Sequence, residues 1–408
     1  VAALGALAAE AANDSDVSVN MTGTTVTANE DKDDDESGKV EITTNKANTV
    51  TAQAVNTAGG AIGGTGMGAT VTDTGSSTIG LTGNTMQATK NIDVNAKTNS
   101  ALQADIISAG AGWFASGAVS IAKVSAGTAN DHLKTAVTIG GGNTFAAQNT
   151  NFAANSNISE SMDMDALAIS GYASIGGNST TSDAYADATV TAEADNTYKG
   201  AADNAGNVSF NANNTVTQKA DTSGISAAGL FATGTNIGTT TSDLKTAVTV
   251  KGSGEGSKVN NFNANASSYA SVNNKVNGDG GAIADISPYA AKVDNNYTAD
   301  TDVTIGGTWN TAGSFTAQAV NGMDIDLTSE AVRAAVIGGS GTWLDNTINN
   351  AANVTVNGAT INSGGAQSYT AQNDIDYTGK IDGSGYGGIN VNATDYSDDL
   401  DFSAGVDI

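Results

Sequence analysis

Short runs in which large and polar residues alternate recur along the chain and predict β-strands. Val-Thr-Ile or Val-Thr-Val stands at residues 137–139, 248–250, 303–305 and 354–356. Residues two apart in a strand lie on the same face, so this alternation is typical of strands with one buried face. Each run is followed by 5 to 12 residues rich in turn formers such as Gly, Asn and Ser, before the next Phe or Tyr. These stretches predict turns of variable length.

A second pattern, a large apolar residue followed by any residue, Ala and a polar residue, runs through the whole chain. Its ten alanines are Ala28, Ala52, Ala96, Ala147, Ala192, Ala212, Ala264, Ala317, Ala371 and Ala393. The spacings between them fall near 20–24 and near 44–54 residues. TAQAVN occurs at 51–56 and 316–321, and LKTAVT at 133–138 and 244–249. Strands of fixed pattern joined by variable turns are typical of solenoids, in which turns project outward while strands stack.

The fold class predicted from these repeats is all-β, a right-handed parallel β-helix with variable loops. A coil of roughly 22 residues would give about 18 coils and a rod about 90 Å long. Residues 1–40 are predicted to form an N-terminal segment with an acidic loop, as a cap or an assembly strand. Residues 41–395 form the repeat solenoid, and 396–408 an acidic tail or end strand. Frequent glycines argue against helices in the Ala/Gly-rich stretches, and one short helix is expected near Glu330.

Composition excludes several functional classes. The chain has 16 basic and 42 acidic residues and a formal charge of −26, which opposes binding to the phosphates of nucleic acids. There is no uninterrupted apolar run of about 20 residues to span a membrane as a helix, and no cysteine for a disulfide scaffold. Strong acidity favours solubility, and we expect an extracellular or bacterial cell-surface location.

The segment IISAGAGWFASGAVSIAKVSAG at 106–127, followed by a Val-Thr-Ile strand, a glycine turn and Phe-x-Ala-x-x-Asn, resembles a known family. It is similar to the repeat regions of filamentous-haemagglutinin-like and leukotoxin-type bacterial exoproteins, which are exported by type V pathways. The resemblance covers roughly residues 20–395 as a diffuse repeat pattern. It implies a parallel β-helix, secretion, and a role in adhesion, biofilm or extracellular fibres.

Parallel β-helices also include polysaccharide lyases and hydrolases, so acidic pairs need attention. Three Asp-x-Asp pairs could each project from one strand face. They are Asp163 with Asp165, Asp324 with Asp326, and Asp374 with Asp376. No basic or histidine residue accompanies any pair, and we interpret Arg333 as a surface charge and His132 as a polar loop residue. We therefore predict that the chain is not an enzyme.

Two binding sites remain as candidates. The acidic run EDKDDDESG at 30–38 is rich in the oxygen ligands that Ca²⁺ prefers, with a solvated loop as the alternative. Its candidate calcium ligands are Asp31, Asp33, Asp34, Asp35 and Glu36. Trp309 lies in a predicted turn, where an exposed ring would stack on a sugar.

The leading hypothesis is an extracellular structural or adhesive β-solenoid that assembles end to end into a surface fibre or matrix filament. Its partners would be further copies of itself and surface glycans, with no required cofactor except a candidate calcium ion. The alternative is a carbohydrate-active β-helix enzyme of the lyase or hydrolase type.

Overall fold

The computed structural model describes residues 2–29, 37–284 and 289–408, which form a parallel β-solenoid. About 85% of the chain is strand, and the described residues contain no α-helix, only a 3₁₀ turn at Ala201–Asp203. This confirms the predicted fold class. The prediction of a short helix near Glu330 was wrong, because that residue lies inside a strand.

The described residues form 21 strands, in a 17-stranded and a 4-stranded sheet. Strands β1 to β11 are Ala2–Asp14, Val17–Thr22, Thr25–Ala28, Lys39–Thr74, Ser76–Thr82, Thr85–Ala88, Asn91–Ala126, Leu133–Ile139, Thr144–Ala146, Asn149–Ser170 and Ala173–Ala192. Strands β12 to β21 are Thr197–Lys199, Gly206–Ala228, Phe231–Val250, Val259–Ala284, Tyr289–Ile305, Thr308–Thr311, Phe315–Val356, Thr360–Ser363, Gln367–Tyr386 and Ile389–Asp407.

Each coil is a long, flat loop with two arms. In one coil the first arm is β10, the chain bends at 171–172, and the second arm, β11, returns beside it. The short side β12 then leads to the next coil. The arms face one another, because Ser108 and Ser120 on either side of a bend are joined by a 2.9 Å hydrogen bond. Twenty-two extended residues make an arm about 70 Å long.

The register shows that one coil contains 51 to 60 residues. Asn149 pairs with Asn207, 58 positions later, and Lys39 pairs with Asn91, 52 positions later. The expected coil of roughly 22 residues was therefore wrong, since that length corresponds to a single arm. The second arms stack in eight layers, β1, β4, β7, β11, β14, β16, β18 and β21. At about 4.8 Å per layer the stack is about 34 Å high, not 90 Å.

The repeated sequences occupy columns that run up the stack. Leu133 and Leu244, which begin the two LKTAVT copies, both pair with Ala186 in the coil between them. The Val-Thr-Ile runs share one column, with Val137 and Ile139 buried and Thr138 exposed. The two TAQAVN copies do not stack: Thr51 pairs with Gln103, whereas Thr316 pairs with Asn263 and Ser368 in another column. The hexapeptide therefore indicates a strand whose residues alternate between the inside and the outside, but it does not indicate where in the coil that strand lies.

The two terminal segments set apart from the repeat solenoid by the sequence form strands of the same stack. β1 pairs with β4 at one end, and β21 pairs with β18 at the other.

Between the arms, a buried polar column divides the core. One apolar cluster lies toward the short sides and contains Val137 and Phe210, and the other lies along the arms and contains Leu133 and Val216. The column between them, one residue per coil in the first arm, is Lys46, Thr98, Ser156, Asn214, Ser268 and Asn321. Hydroxyls of the second arm face it, as where Thr135 donates to Thr98 at 2.7 Å. Buried polar groups need such partners, so the column fixes how the arms face each other.

An ion pair occupies one end of this column. Lys46 and Asp73 are 1% and 0% exposed, and Lys46 Nζ lies 3.2 Å from Asp73 Oδ1. Asp73 also accepts hydrogen bonds from Asn13, Asn48 and Ser100. Each charge is tolerated inside because the other compensates it.

Glu160 is a second buried carboxyl. It accepts hydrogen bonds from Ser182 Oγ at 2.5 Å, Gln218 Nε2 at 3.0 Å and the Ala126 N–H at 2.9 Å. Burial outweighs these hydrogen bonds, which favour the anion, and raises the pKa of Glu160 from 4.5 to about 8. The carboxyl is therefore mainly protonated at neutral pH.

Substituting Lys46→Met leaves Asp73 as a buried charge without its cation. We expect the free energy of unfolding to fall by about 3–5 kcal/mol, measured by urea denaturation. The control Lys251→Met breaks the pair with Glu193, whose members are 53% and 44% exposed, and should cost less than about 1 kcal/mol. Adding Asp73→Asn to Lys46→Met should restore more than half of the loss. Equal effects of the two lysine substitutions would contradict the role of the buried pair.

The pKa of Glu160 predicts how stability changes with pH. The unfolded chain releases this proton near pH 4.5 and the folded chain near pH 8, so the folded state binds more protons between those values. The free energy of unfolding should fall by about 1.4 kcal/mol per pH unit in this window. Glu160→Gln should remove that slope and the exposed control Glu255→Gln should keep it, in urea melts from pH 5 to 8. A slope that persists in Glu160→Gln would refute the assignment.

Candidate functional site

A polar cleft on the outer face of the second arm contains the only histidine of the chain. Residues 127–132 form a loop between β7 and β8, where the next coil has the single residue Tyr185. The loop leaves the sheet at Gly127, whose φ of +71° favours glycine. His132 at its end lies in a cleft of about 730 Å³.

His132 is held by carboxylates of the next two coils. Its Nδ1 lies 2.8 Å from Asp187 Oδ1, and its Nε2 lies 3.8 Å from Asp243 Oδ2. Residue 132 is a loop residue, as the sequence suggested, but it does not stand alone. A carboxylate on Nδ1 fixes the orientation of an imidazole and leaves Nε2 available for proton transfer. The arrangement has the chemical elements of a general base.

Stacked charges of alternating sign line the same cleft. Lys134 pairs in register with Asp187, Asp187 with Lys245, and Lys245 with Asp300. Strands one layer apart place such side chains about 5 Å from each other, where opposite charges attract. The two LKTAVT copies carried a signal for this ladder. It could be interpreted only once Asp187 was known to lie between them.

The three Asp-x-Asp pairs do project from one face, the outer face of the first arm. Asp163 and Asp165 are exposed together, and Asp163 is in register with Asp105 on one side and Asp221 on the other. Partial burial, then Asp165 and Asp221, raise the pKa of Asp163. Asp324 likewise pairs with Asp376. These carboxylates are stacked like charges.

Trp309 is buried, so its predicted exposure was wrong. It is 0% exposed, its Nε1 donates to the Gly306 carbonyl at 3.1 Å, and its ring centroid lies 4.5 Å from that of Phe262. Phe262 in turn stacks on Phe315 at 4.3 Å. The tryptophan extends a column of aromatic residues inside the solenoid because the short-side strand β17 points it inward. Contact with surface glycans stays a prediction without an assigned residue.

Arg333 is also buried, which corrects its interpretation as a surface charge. It is 0% exposed, and Nη2 donates to the Ala232 carbonyl at 3.1 Å. Its neighbours in register are Gly280 and Gly385, which leave room for the long side chain between the arms. Burial lowers the pKa of Arg333 to about 10, so the guanidinium stays charged at neutral pH.

The candidate calcium ligands, Asp31, Asp33, Asp34, Asp35 and Glu36, lie outside the described residues. Within the described parts of the chain, no cluster of three or more His, Asp or Glu residues could hold a metal ion. Across the same residues, the structure has no helix long and apolar enough to cross a membrane.

The two carboxylate environments predict opposite effects of the same substitution. Asp163→Asn removes one of three stacked carboxylates and should raise the free energy of unfolding at pH 7, whereas Asp187→Asn removes the anion between two lysines and should lower it. Both side chains are partly exposed, so each change should stay below about 1 kcal/mol. Urea denaturation at low salt and in 1 M NaCl checks this, since salt should shrink both effects. Changes of the same sign would show that the ladders are not organised as described.

The chain was compared with protein-family models, curated proteins and solved structures. No family model, no curated protein and no solved structure matches the chain. The parallel β-solenoid fold is consistent with the resemblance to haemagglutinin-like exoproteins, but no match supports membership of that family.

Proposed function

We propose that this chain is an extracellular structural solenoid of a bacterial surface fibre or matrix, and that copies join end to end. The observation that carries the proposal is the set of partly exposed apolar side chains in β21, the outermost described layer. Leu400 and Val406 are each 45% exposed in β21, although Ile348 and Val354, their neighbours in register, are 1% and 0% exposed. A further layer on β21 would bury these side chains and pair its free backbone groups.

The opposite end offers a matching surface. Val19 of β2 belongs to the same column as Val406, through Ile79 and Val137. β21 of one copy could therefore pair with β1 and β2 of the next in the register used inside the solenoid. β1 to β3 lie one layer beyond β4 and have no first-arm strand beside them. In this stack the first arms of the two copies, β20 and the β4 of the next copy, are therefore separated by a gap one strand wide. We expect the contact between copies to be made by the second arms.

The acidic composition supports the extracellular part of the proposal. A charge of −26 keeps such a protein soluble, and the absence of cysteine makes the fold independent of the redox state of its surroundings. In a fibre, the stack of paired strands would supply stiffness and the outer faces would contact glycans.

The cleft at His132 favours one alternative, a carbohydrate-active enzyme. The hydrogen bond between His132 and Asp187, with Lys134 and Lys245 beside it, would suit proton abstraction from an acidic sugar. Release of unsaturated uronides from acidic polysaccharides by the chain, and its loss in His132→Ala, would replace the structural proposal by this one.

End-to-end joining is tested by Leu400→Asp with Val406→Asp. The wild-type chain should form linear assemblies whose mean length grows with concentration in negative-stain micrographs. The double variant should shorten them, because charges replace the apolar contact. The control Thr138→Asp with Thr191→Asp adds the same charge to an outer column and should leave the length unchanged. Dispersed single particles of the wild-type chain at high concentration would contradict end-to-end joining.

A further inference from the structure

Charged residues are sorted along the arms. In five coils, the segments on both sides of the bend contain no Asp, Glu, Lys, Arg or His: 54–72, 106–122, 166–182, 222–242 and 383–394. The corresponding described segments of the two other coils are 276–284, with the exposed Asp279, and 331–344, whose one charged residue is the buried Arg333. In a chain with 42 acidic residues, this leaves an edge along the bends, here called the uncharged edge, with acidic arms beyond it. The one exposed charge in these described segments is Asp279, which lies on the first-arm side.

Large apolar side chains are exposed along this uncharged edge in successive coils. On the outer face of the second arm they are Leu4, Ile62, Val119, Ile121, Ile175, Phe231, Ile337, Ile389 and Val391, with exposed fractions from 37% to 79%. At the bends themselves, Trp113 and Tyr172 are 75% and 50% exposed. Soluble monomers rarely expose a contiguous apolar surface of this extent, and such surfaces mark interaction sites.

On the second-arm side of the edge, glycines and large apolar side chains share one face of the sheet. Glycines alternate with the large side chains in register, as where Val119 pairs with Gly177 and Gly117 pairs with Ile175. Three outer columns of the second arm, counted from the bend, contain no charged residue in any described layer, those of Ile62, Leu4 and Val119, whereas the fourth contains Lys292 and Asp395. Three columns span roughly 20 Å, and the layers rise about 34 Å. The strip therefore measures roughly 680 Å², within the range of about 600–1,000 Å² that each partner contributes to a stable protein interface.

We infer that two copies of this chain pair side by side through the uncharged edge, with the outer faces of their second arms overlapping in a two-fold lap joint. A two-fold axis brings the same surface of each copy together, so large side chains can enter the spaces above the partner's glycines. The acidic remainders of the arms point away in opposite directions. Most of the acidic residues then lie more than one Debye length, about 8 Å in physiological salt, from those of the partner.

A lipid interface is the competing occupant, and the shape of the strip favours a second copy. Lipid insertion would use the row of bends, where Trp113 and Tyr172 are exposed. The second-arm face, on which glycines alternate with large side chains, suits another sheet at the usual separation of about 10 Å. This pairing is independent of the end-to-end joining proposed above. The two together would make a fibre that grows along the solenoid axis and is two chains wide.

The test combines Val119→Asp with Ile175→Asp, which puts charges in the centre of the strip in adjacent coils. Thr138→Asp with Thr191→Asp is the matched control, since it adds equal charge to the same outer face far from the bend. All chains also carry Leu400→Asp and Val406→Asp, so that end-to-end joining cannot produce the signal. Circular dichroism verifies that each variant is folded.

Sedimentation velocity should show a dimer for the parent and the threonine control, and a monomer for Val119→Asp with Ile175→Asp. Small-angle scattering should give the dimer a maximum dimension near 130 Å against about 80 Å for the monomer, because only about 20 Å of each arm overlaps. A monomeric parent at 50 µM would overturn the inference. So would a dimer that survives the edge substitutions, or flotation of the monomeric parent with phosphatidylcholine vesicles that the same substitutions abolish.

Discussion

The parallel backbone ladder between coils is the constraint on which the rest of the structure depends. Each arm is paired along its full length with the arms above and below, as in the 22 consecutive pairs between β10 and β13. A slip of one residue in such a ladder would turn every side chain to the opposite face. The register therefore decides at once which residues form the core, which charges are neighbours and which surface faces outward.

The flat coil makes the interior long and thin, and its side chains reflect that shape. Most of the buried aromatic residues lie toward the short sides, where Phe210 and Trp309 pack, and Tyr297 is buried along the arms. Small residues such as Ala168 and Gly224 line the arms near the bends. A long apolar interior alone would allow the arms to slide over one another. The buried polar column from Lys46 to Asn321 prevents this, because a displaced arm would leave its hydroxyls and amides without partners.

The alternation of large and polar residues was enough to predict strands, stacking and an all-β solenoid. Val137, Thr138 and Ile139 take the predicted inside and outside positions because period two is a local property of a strand. The predicted coil length was wrong because the motif of a large residue and alanine occurs at inward positions in more than one column. Ala52 and Ala317 carry the same hexapeptide in different columns, so spacings between motifs mixed positions within one coil and between coils.

The candidate sites show the same division between local and long-range information. The outward projection of Asp163 and Asp165 followed from their spacing, but the stack with Asp105 and Asp221 depends on register. His132 seemed isolated because Asp187 and Asp243 lie one and two coils away in the chain. Trp309 was assigned to the surface from its predicted turn and Arg333 from its charge. Trp309 is buried because strand β17 points it into the aromatic column, and Arg333 because glycines in the neighbouring layers leave room for it.

The coil length is the central claim, and deletion tests it directly. Removing residues 149–206 takes out one complete coil and joins Gln148 to Asn207, which stands in register with Asn149. Removing 149–170 takes out one arm, the unit suggested by the shorter motif spacing. Thermal unfolding followed by circular dichroism should give a cooperative β-sheet transition for the 58-residue deletion and none for the 22-residue deletion. The reverse result, or equal stability of the two deletion variants, would contradict the account.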